Sequence, residues 1–562
     1  MMKHLRRLML PALIITLIGC TSGEDDVADA PKTSVDTLIT NANGYTLRNG
    51  ELIRFSTMTI RDGKIVATGD ESLAGAYTAD TTIDAKGQTI LPGLIDAHGH
   101  VSSLGALRSR VDLAGIATLD STLSRIAAFD RELDEGAQWL LGRGWNQVLW
   151  TGKQFPTASD LDDIVGNDRA VFLNRVDGHA AWANSKALEL AGINSETPDP
   201  AGGKILRDEN GAATGVLIDA AMGLVFDVIP MPPRDEQKMH IEIALQELAS
   251  LGITGVHDAG STLTELSLYE ELADEDKMAI RVSAMLGGME TLAEVDAPVE
   301  NYANDIYQAT SVKLYADGAL GSRGAAMIED YSDDPGNQGL LFANETGLAE
   351  MIQAAHDKGF AAHVHAIGDR ANQAALSAFA MVNNDAPSAF NDRVEHAQIV
   401  ALEDIKRFAT LDIIASIQPT HATSDMNMAE DRVGSERILG AYAWRRMLDA
   451  GVRLAGGSDF PVEKPDMYDG LYSAVARKDK QGNPVEGWFP DQALTREQAL
   501  ALFTTWAAES VGQGDIIGEL SEGMHADFIM LDRDYFEIPE IEIWQMKTRQ
   551  TWVAGEPVFT AE

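Results

Sequence analysis

The chain has 562 residues, 45% of them apolar and 23% charged, which is the composition of a soluble globular protein of enzyme size. Its 86 acidic and 44 basic residues give a formal charge of −42, which argues against nucleic acid or an anionic membrane surface as the partner. The single cysteine excludes an internal disulfide and a cysteine-ligated zinc site.

Residues 1–19 are predicted to be a bacterial lipoprotein signal peptide, because basic residues precede an apolar run that is too short to span a bilayer. The run ends in Leu-Ile-Gly-Cys, which resembles a lipobox, so Cys20 is the expected site of lipidation and of a lipid anchor in the membrane. Because Thr21 rather than aspartate follows, we expect the outer membrane of the cell envelope, facing the periplasm. A plain secretory signal with an incidental cysteine is the alternative. Residues 20–35 are polar and acidic and are predicted to form a tether.

Short alternating segments predict strands at both ends of the chain. In residues 36–95 they are separated by turns, and Asp62-Gly63 is a hairpin signal. A matching pattern returns in residues 517–562. Neither segment alone has enough strands to bury a core, so we expect the two to build one composite β-sandwich domain.

Between these ends, strands alternate with helices, which indicates an α/β fold. Eight strand–helix units over residues 96–516 favour a (β/α)8 TIM-type barrel. Residues 111–239 separate strands one and two, are too long for a crossover and carry their own strands, so they are predicted to be an inserted subdomain. After the first strand, at His98, the predicted strands are residues 253–257, 280–286, 311–317, 360–365, 393–396, 413–418 and 452–459.

Polar side chains follow several predicted strands at the end where TIM-barrel active sites lie. His98 and His100 alternate along one strand, so both imidazoles face one side and can share a cation. A single strand-end histidine is more often a hydrogen-bonded core residue. Several at the same end, with an aspartate, favour a metal site. The candidate ligands are His98, His100, Lys313, His365, His396 and Asp459.

These motifs resemble the metal-dependent amidohydrolase superfamily. The matching segments are PGLIDAHGH at residues 92–100, single histidines on two middle strands, and GSDFPVE at residues 457–463. Within it the chain resembles the YtcJ-like branch, which includes N-substituted formamide deformylases. The branch-type segments are GRGWNQVLW (142–150), RVDGHAAWANSKAL (175–188), KLYADGALGSR (313–323) and HAIGDRA (365–371).

The resemblance implies one or two divalent ions, with zinc expected. His98, His100 and Asp459 would hold one ion, and His365 and His396 the second. Lys313 would bridge the two after reaction with carbon dioxide, which converts the amine into a carbamate with two oxygen donors. The alternative is an uncarboxylated Lys313 paired with Asp317 and a single ion.

The implied activity is hydrolysis of a carbon–nitrogen bond, other than a peptide bond, in a small amide, formamide or cyclic amide. A divalent ion lowers the pKa of a bound water, and the resulting hydroxide attacks the carbonyl carbon. Asp459 would take the proton and return it to the departing nitrogen.

Five further polar or aromatic residues are candidates for contact with the substrate, although structural support or loop packing is the alternative for each. Trp145 in particular is equally compatible with the core of the insertion. A homodimer is one option for the assembly. The five residues are Trp145, His179, His257, Arg323 and His421.

Two other functions are compatible with the sequence. The same barrel and ligands can support a non-hydrolytic isomerase or lyase, since a fold does not determine a reaction. A surface-anchored lipoprotein that only binds its ligand is the other option, and the retained Asp459 argues against it.

Overall fold

A computed structural model describes residues 32–134, 136–166, 169–176, 180–200 and 202–562. The predicted signal peptide, Cys20 and most of the tether therefore lie outside the described residues. Among those described, no helix has the length and apolar character needed to cross a bilayer.

Eight parallel strands form the central sheet, and the first and last approach each other closely enough to complete a barrel. The N–H of Asp459 donates to the carbonyl of His98 at 2.7 Å, and the N–H of His100 donates to the carbonyl of Phe460 at 2.8 Å. In order around the sheet the strands are Leu94–Gly99, Ile253–Ser261, Arg281–Gly287, Tyr307–Tyr315, Ala361–Ala366, Arg393–His396, Ile414–Ile417 and Leu454–Gly456, and Val299–Tyr302 pairs antiparallel with Tyr307–Tyr315.

Helices cover the outside of the barrel. Their apolar faces follow the helical period, as in Arg234–Ser250, which buries Ile241, Leu245 and Leu248. The remaining barrel helices are Val101–Arg108, Leu263–Asp274, Gly288–Glu294, Glu345–Asp357, Asp369–Asn383, Ile405–Leu411, Pro419–Asp425, Ala429–Arg437, Trp444–Asp449, Met467–Ala476, Arg496–Leu502 and Thr505–Glu509.

Both ends of the chain meet in one sheet. The C-terminal strand Phe528–Leu531 pairs antiparallel with the N-terminal strand Thr89–Pro92. Apolar side chains of this sheet and of a second sheet share one core, which includes Ile39, Phe528 and Trp552. In order, the six-stranded sheet contains Glu556–Thr560, Thr548–Val553, Phe528–Leu531, Thr89–Pro92, Asn43–Arg48 and Glu51–Phe55, and the four-stranded sheet contains Lys64–Gly69, Thr57–Arg61, Thr33–Thr40 and Tyr77–Asp84.

The insertion between barrel strands one and two has its own sheet and its own apolar core. Helix Arg234–Ser250 packs against the first barrel helix, Val101–Arg108. The two backbones are so close that a Cβ on Gly105 would lie 1.8 Å from the carbonyl oxygen of His240. The expected boundary at residue 239 therefore falls inside a barrel helix. In order, the strands are Gly203–Arg207, Ala213–Asp219, Ala180–Ala183, Ala170–Arg175, Trp139–Trp145 and Val111–Asp112, and the helices are Leu119–Glu132, Ala158–Val165, Ser185–Leu190 and Gly223–Phe226.

The predicted fold class is confirmed: the molecule is a TIM-type barrel with additional structure built from the chain ends and from the insertion.

Candidate metal centre

The predicted ligands converge at the carboxyl end of the barrel. Nε2 of His100 lies 3.2 Å from Oδ1 of Asp459, and Nε2 of His98 lies 3.6 Å from the same oxygen. Nζ of Lys313 lies 3.1 Å from Nε2 of His98. The nitrogen and oxygen atoms that His98, His100 and Asp459 offer as ligands all lie within 4.8 Å of one another, which is a spacing that one ion can bridge.

A second group shares Asp459 with the first. The ligand atoms of His396, His421 and Asp459 also lie within 4.8 Å of one another. His365 is beside them, since its ring centroid is 4.5 Å from that of His396. The sequence placed His421 among the substrate contacts. In the structure, helix Pro419–Asp425 instead brings it to the metal-ligand cluster, with Nε2 3.8 Å from Oδ2 of Asp459.

The surroundings of two imidazole nitrogens indicate whether this cluster of histidines and Asp459 suits a cation. Nε2 of His365 and Nε2 of His421 are buried and make no hydrogen bond in the described part of the chain, although carboxylate oxygens of Asp317 and Asp459 lie 3.5 Å and 3.8 Å from them. A buried polar atom without a partner is costly, and a cation on its lone pair would remove that cost. Imidazole and carboxylate are ligands that zinc and similar divalent ions prefer, so the donor set fits such an ion.

Burial keeps His98 and His365 in the neutral form that binds metals. Together with the nearby charge of Lys313, it lowers the pKa of His98 to about 4 and the pKa of His365 to about 3. Burial raises the pKa of Asp459, but the hydrogen bond from His100 and the interactions with nearby imidazoles outweigh burial, so the net pKa lies well below the usual range. At neutral pH, His98 and His365 are therefore neutral imidazoles in the same site as an ionised carboxylate.

Lys313 is almost fully buried on barrel strand Tyr307–Tyr315. Burial lowers the pKa of its amine to about 8, so an appreciable fraction is uncharged near neutrality. The carboxylate of Asp317 accepts hydrogen bonds from the backbone N–H groups of Ala326, Ile367 and Gly368. A Lys313–Asp317 pair, the alternative considered from the sequence, is therefore not what the structure contains.

Two of the ligands have backbone conformations that non-glycine residues rarely adopt. The φ angle is +74° at His396 and +60° at Asp459. Each such residue costs about 1–3 kcal/mol and is found where the surrounding structure enforces it, commonly at functional sites. His396 is the last residue of its strand, and Asp459 follows the strand Leu454–Gly456.

Asp96 and Glu395 support the ligands and were not predicted. Oδ1 of Asp96 accepts the N–H of His98 at 3.1 Å and the N–H of Ser458 at 2.9 Å, which joins the first and eighth strands directly below the ligands. Glu395 contacts the ring of His98. The sequence contained one indication that Glu395 has a partner inside the barrel. Arg393 and Glu395 alternate on an otherwise buried strand, so their side chains share a face and need partners there.

Three of the predicted substrate contacts have other surroundings. Trp145 is fully buried in the insertion and donates its indole N–H to the carbonyl of Leu173 at 2.7 Å, so it is a core residue there. His257 is buried in mid-strand, where its Nδ1 lies 3.0 Å from Nη1 of Arg393. Arg323 forms an ion pair with Asp333. His179 lies outside the described residues.

Comparisons with known proteins agree with this geometry. The Amidohydrolase family model matches residues 81–559. YtcJ of Bacillus subtilis, a protein classed with the amidohydrolases, is 31% identical over 90% of this chain and 96% of its own. The N-substituted formamide deformylase of Arthrobacter pascens is 30% identical over 92% of this chain and 97% of its own. The crystal structure of an uncharacterised metal-dependent hydrolase from Pyrococcus furiosus has a TM-score of 0.75 at 29% identity, covering 89% of this chain and all of that one.

A barrel with clustered histidines and an aspartate at its carboxyl end, together with a family match over most of the chain, defines a metal-dependent hydrolase. The chain belongs to the amidohydrolase family, whose members act on carbon–nitrogen bonds. Its relatives support the YtcJ-like branch within that family.

Proposed function

We propose that the protein hydrolyses a non-peptide carbon–nitrogen bond in a small amide, with N-substituted formamides, N-acyl amines and cyclic amides as the candidate substrates. The observation that carries the proposal is the convergence of His98, His100, His396, His421 and Asp459 into two overlapping groups that can each hold an ion. The similarity to a formamide deformylase over nearly the whole chain supports the formamide class.

Zinc is the expected ion, because the candidate ligands are imidazoles and a carboxylate, as in catalytic zinc sites. His98, His100 and Asp459 would hold one ion. His365 and His396 would hold a second, with His421 as a further donor. Carboxylated Lys313 would bridge the two ions, since a partly uncharged amine is the form that reacts with carbon dioxide.

A divalent ion at this position would lower the pKa of a water molecule and polarise the carbonyl of the substrate. Asp459 performs the proton transfers. Its Oδ1 lies 3.2 Å from Nε2 of His100 and its Oδ2 lies 3.8 Å from Nε2 of His421, so the carboxylate stands within the ligand cluster, where it would accept a proton during attack and donate it to the departing nitrogen. His98 and His100 hold the carboxylate in place on one side, and His421 faces it on the other.

The test is release of free amine from a panel of N-formyl, N-acyl and cyclic amides, measured with an amine-reactive dye. We expect turnover of at least one class by the purified protein and turnover about 10²- to 10⁴-fold slower by Asp459→Asn under the same conditions. Conversion of a substrate to an isomer without release of amine would contradict hydrolysis and favour the isomerase alternative.

We also propose that the mature protein is lipidated at Cys20 and anchored in the cell envelope, facing the periplasm. The support is the sequence pattern around the sole cysteine. The expected result is that Cys20→Ser moves the protein from the membrane fraction of its native host to the soluble fraction. Unchanged partition of the variant would contradict the anchor.

A further inference from the structure

A buried pair of charged side chains lies inside the barrel directly below His98. Arg393 and Glu395 are both completely buried, and they alternate on the strand Arg393–His396. Buried charges are rare and costly, so a buried pair beside the candidate metal ligands is expected to have a specific role.

Glu395 connects this pair to the metal centre. Its Oε2 lies 2.5 Å from Nδ1 of His98, and its Oε1 lies 2.8 Å from Nε of Arg393 in an ion pair. Since a carboxylate can only accept, Nδ1 of His98 carries the proton. The other ring nitrogen, Nε2, then keeps its lone pair and faces Lys313 and Asp459.

Arg393 is itself held by three other strands. Nη2 donates to the carbonyl of Ala97 at 2.6 Å and to Oγ of Ser416 at 3.0 Å, and Nη1 lies 3.0 Å from Nδ1 of His257. The guanidinium therefore has a fixed position, and its charge lies beside Glu395.

We propose that Glu395 is a positioning residue for the metal centre: held by Arg393, it fixes the tautomer and the orientation of His98, and it strengthens His98 as a ligand. The inference rests on the proposed metal-dependent function. A carboxylate behind a metal-binding histidine orients the ring and raises its basicity, and loss of such a partner typically weakens metal binding by about 10- to 100-fold.

A second buried ion pair provides a matched control. Nε of Arg281 lies 2.6 Å from Oδ2 of Asp527, the two residues are 2% and 4% exposed, and neither contacts a candidate ligand. Neutralising either pair removes a buried carboxylate charge and destabilises the fold. Only neutralising Glu395 alters the partner of His98.

The experiment compares wild type, Glu395→Gln and Asp527→Asn as full-length proteins, with zinc affinity measured by competition with a chromogenic chelator and thermal stability measured in parallel. We expect Glu395→Gln to bind zinc about 10- to 100-fold more weakly than wild type. Asp527→Asn should lose thermal stability and keep wild-type zinc affinity. The absorption spectrum of the cobalt-loaded protein should change in Glu395→Gln and not in Asp527→Asn.

The contrary outcomes are distinct. Zinc affinity of Glu395→Gln within about twofold of wild type, or an equal loss in Asp527→Asn, would overturn the positioning role. Wild-type protein that binds no metal would overturn the proposed function and this inference with it. Should Glu395→Gln fail to fold, histidine-selective ¹⁵N NMR of zinc-loaded wild type decides the question, because a proton on Nδ1 of His98 is expected and its absence would contradict the proposal.

Discussion

Asp459 is the side chain on which the chemistry of the site depends most. It belongs to both candidate metal groups, it is ionised, and its backbone is held at a φ of +60°. Its carboxylate has two roles, as a ligand and as a proton carrier, and only the second changes between ground state and transition state.

Asp459→Asn should lower kcat by about 10²- to 10⁴-fold while the barrel and most of the bound metal are retained, because asparagine keeps one oxygen donor but cannot carry a proton. The measurement is turnover of a confirmed amide substrate, with metal content and thermal unfolding determined on the same preparation. Near-wild-type turnover by the metallated variant would remove Asp459 from the mechanism.

The convergence of the predicted ligands could be expected from the sequence because parallel strands of a barrel all end on one face, so strand-end residues far apart in the chain become neighbours. Asp96 and Glu395 lie within strands and act through partners on other strands; 297 positions separate Glu395 from His98. A sequence pattern does not identify which residue on another strand a buried carboxylate will contact. For Trp145, the sequence did not distinguish the two interpretations, because an aromatic residue in an insertion gives the same pattern whether it lies in a core or lines a pocket. The structure places it in a core.

The junction between the first and last barrel strands brings His98 and His100 close to Asp459. The last strand, Leu454–Gly456, is shorter than the predicted 452–459, because the chain leaves the sheet at Gly457 and turns toward Asp459. A Cβ on Gly457 would lie 2.5 Å from the backbone nitrogen of His98 and 2.7 Å from Oδ1 of Asp96.

Gly457→Ala should therefore separate the two strands, with a loss of about 1–3 kcal/mol in the free energy of unfolding and a loss of metal affinity. Thermal unfolding and zinc titration measure the two effects. Gly75→Ala is the control, since a Cβ there would meet no atom within 4 Å. Equal behaviour of the two variants would contradict the role assigned to this junction.

Helix Met467–Ala476 begins at Asp466, whose side chain accepts the N–H of Tyr468 at 3.1 Å. Burial and the neighbouring charge of Asp469 raise the pKa of Asp466 to about 6, compared with about 3.9 for an ordinary aspartate. The folded state therefore binds a proton more tightly than the unfolded state, and this residue's contribution to stability is lost as pH rises through about 6.

Asp466→Asn keeps a cap oxygen and has no charge to bury, so its thermal midpoint relative to wild type should rise between pH 4 and pH 7 and then level off. Scanning calorimetry across that range measures the difference. Asp70→Asn is the matched control at an exposed cap, where hydrogen bonds from Ser72 lower the pKa of the aspartate and no such rise is expected. A pH-independent difference for Asp466→Asn would contradict the account.

At the scale of the whole molecule, the two ends of the chain close one sheet, and the Arg281–Asp527 ion pair joins that sheet to the barrel. The sequence predicted this arrangement because neither end could bury a core alone. It did not predict where the insertion ends, because helix Arg234–Ser250 has the same apolar period whether it packs within the insertion or on the barrel.

The clustered histidines and Asp459 are expected to hold a divalent ion on which hydrolysis depends. The most direct measurement is elemental analysis of the purified protein together with its amide turnover before chelation, after chelation and after zinc is restored. We predict one or two ions per chain, loss of turnover on chelation, and recovery with zinc. The metal-dependent account would be contradicted if the protein kept full amide turnover after chelation. It would also be contradicted if the purified protein hydrolysed amides and contained no divalent ion.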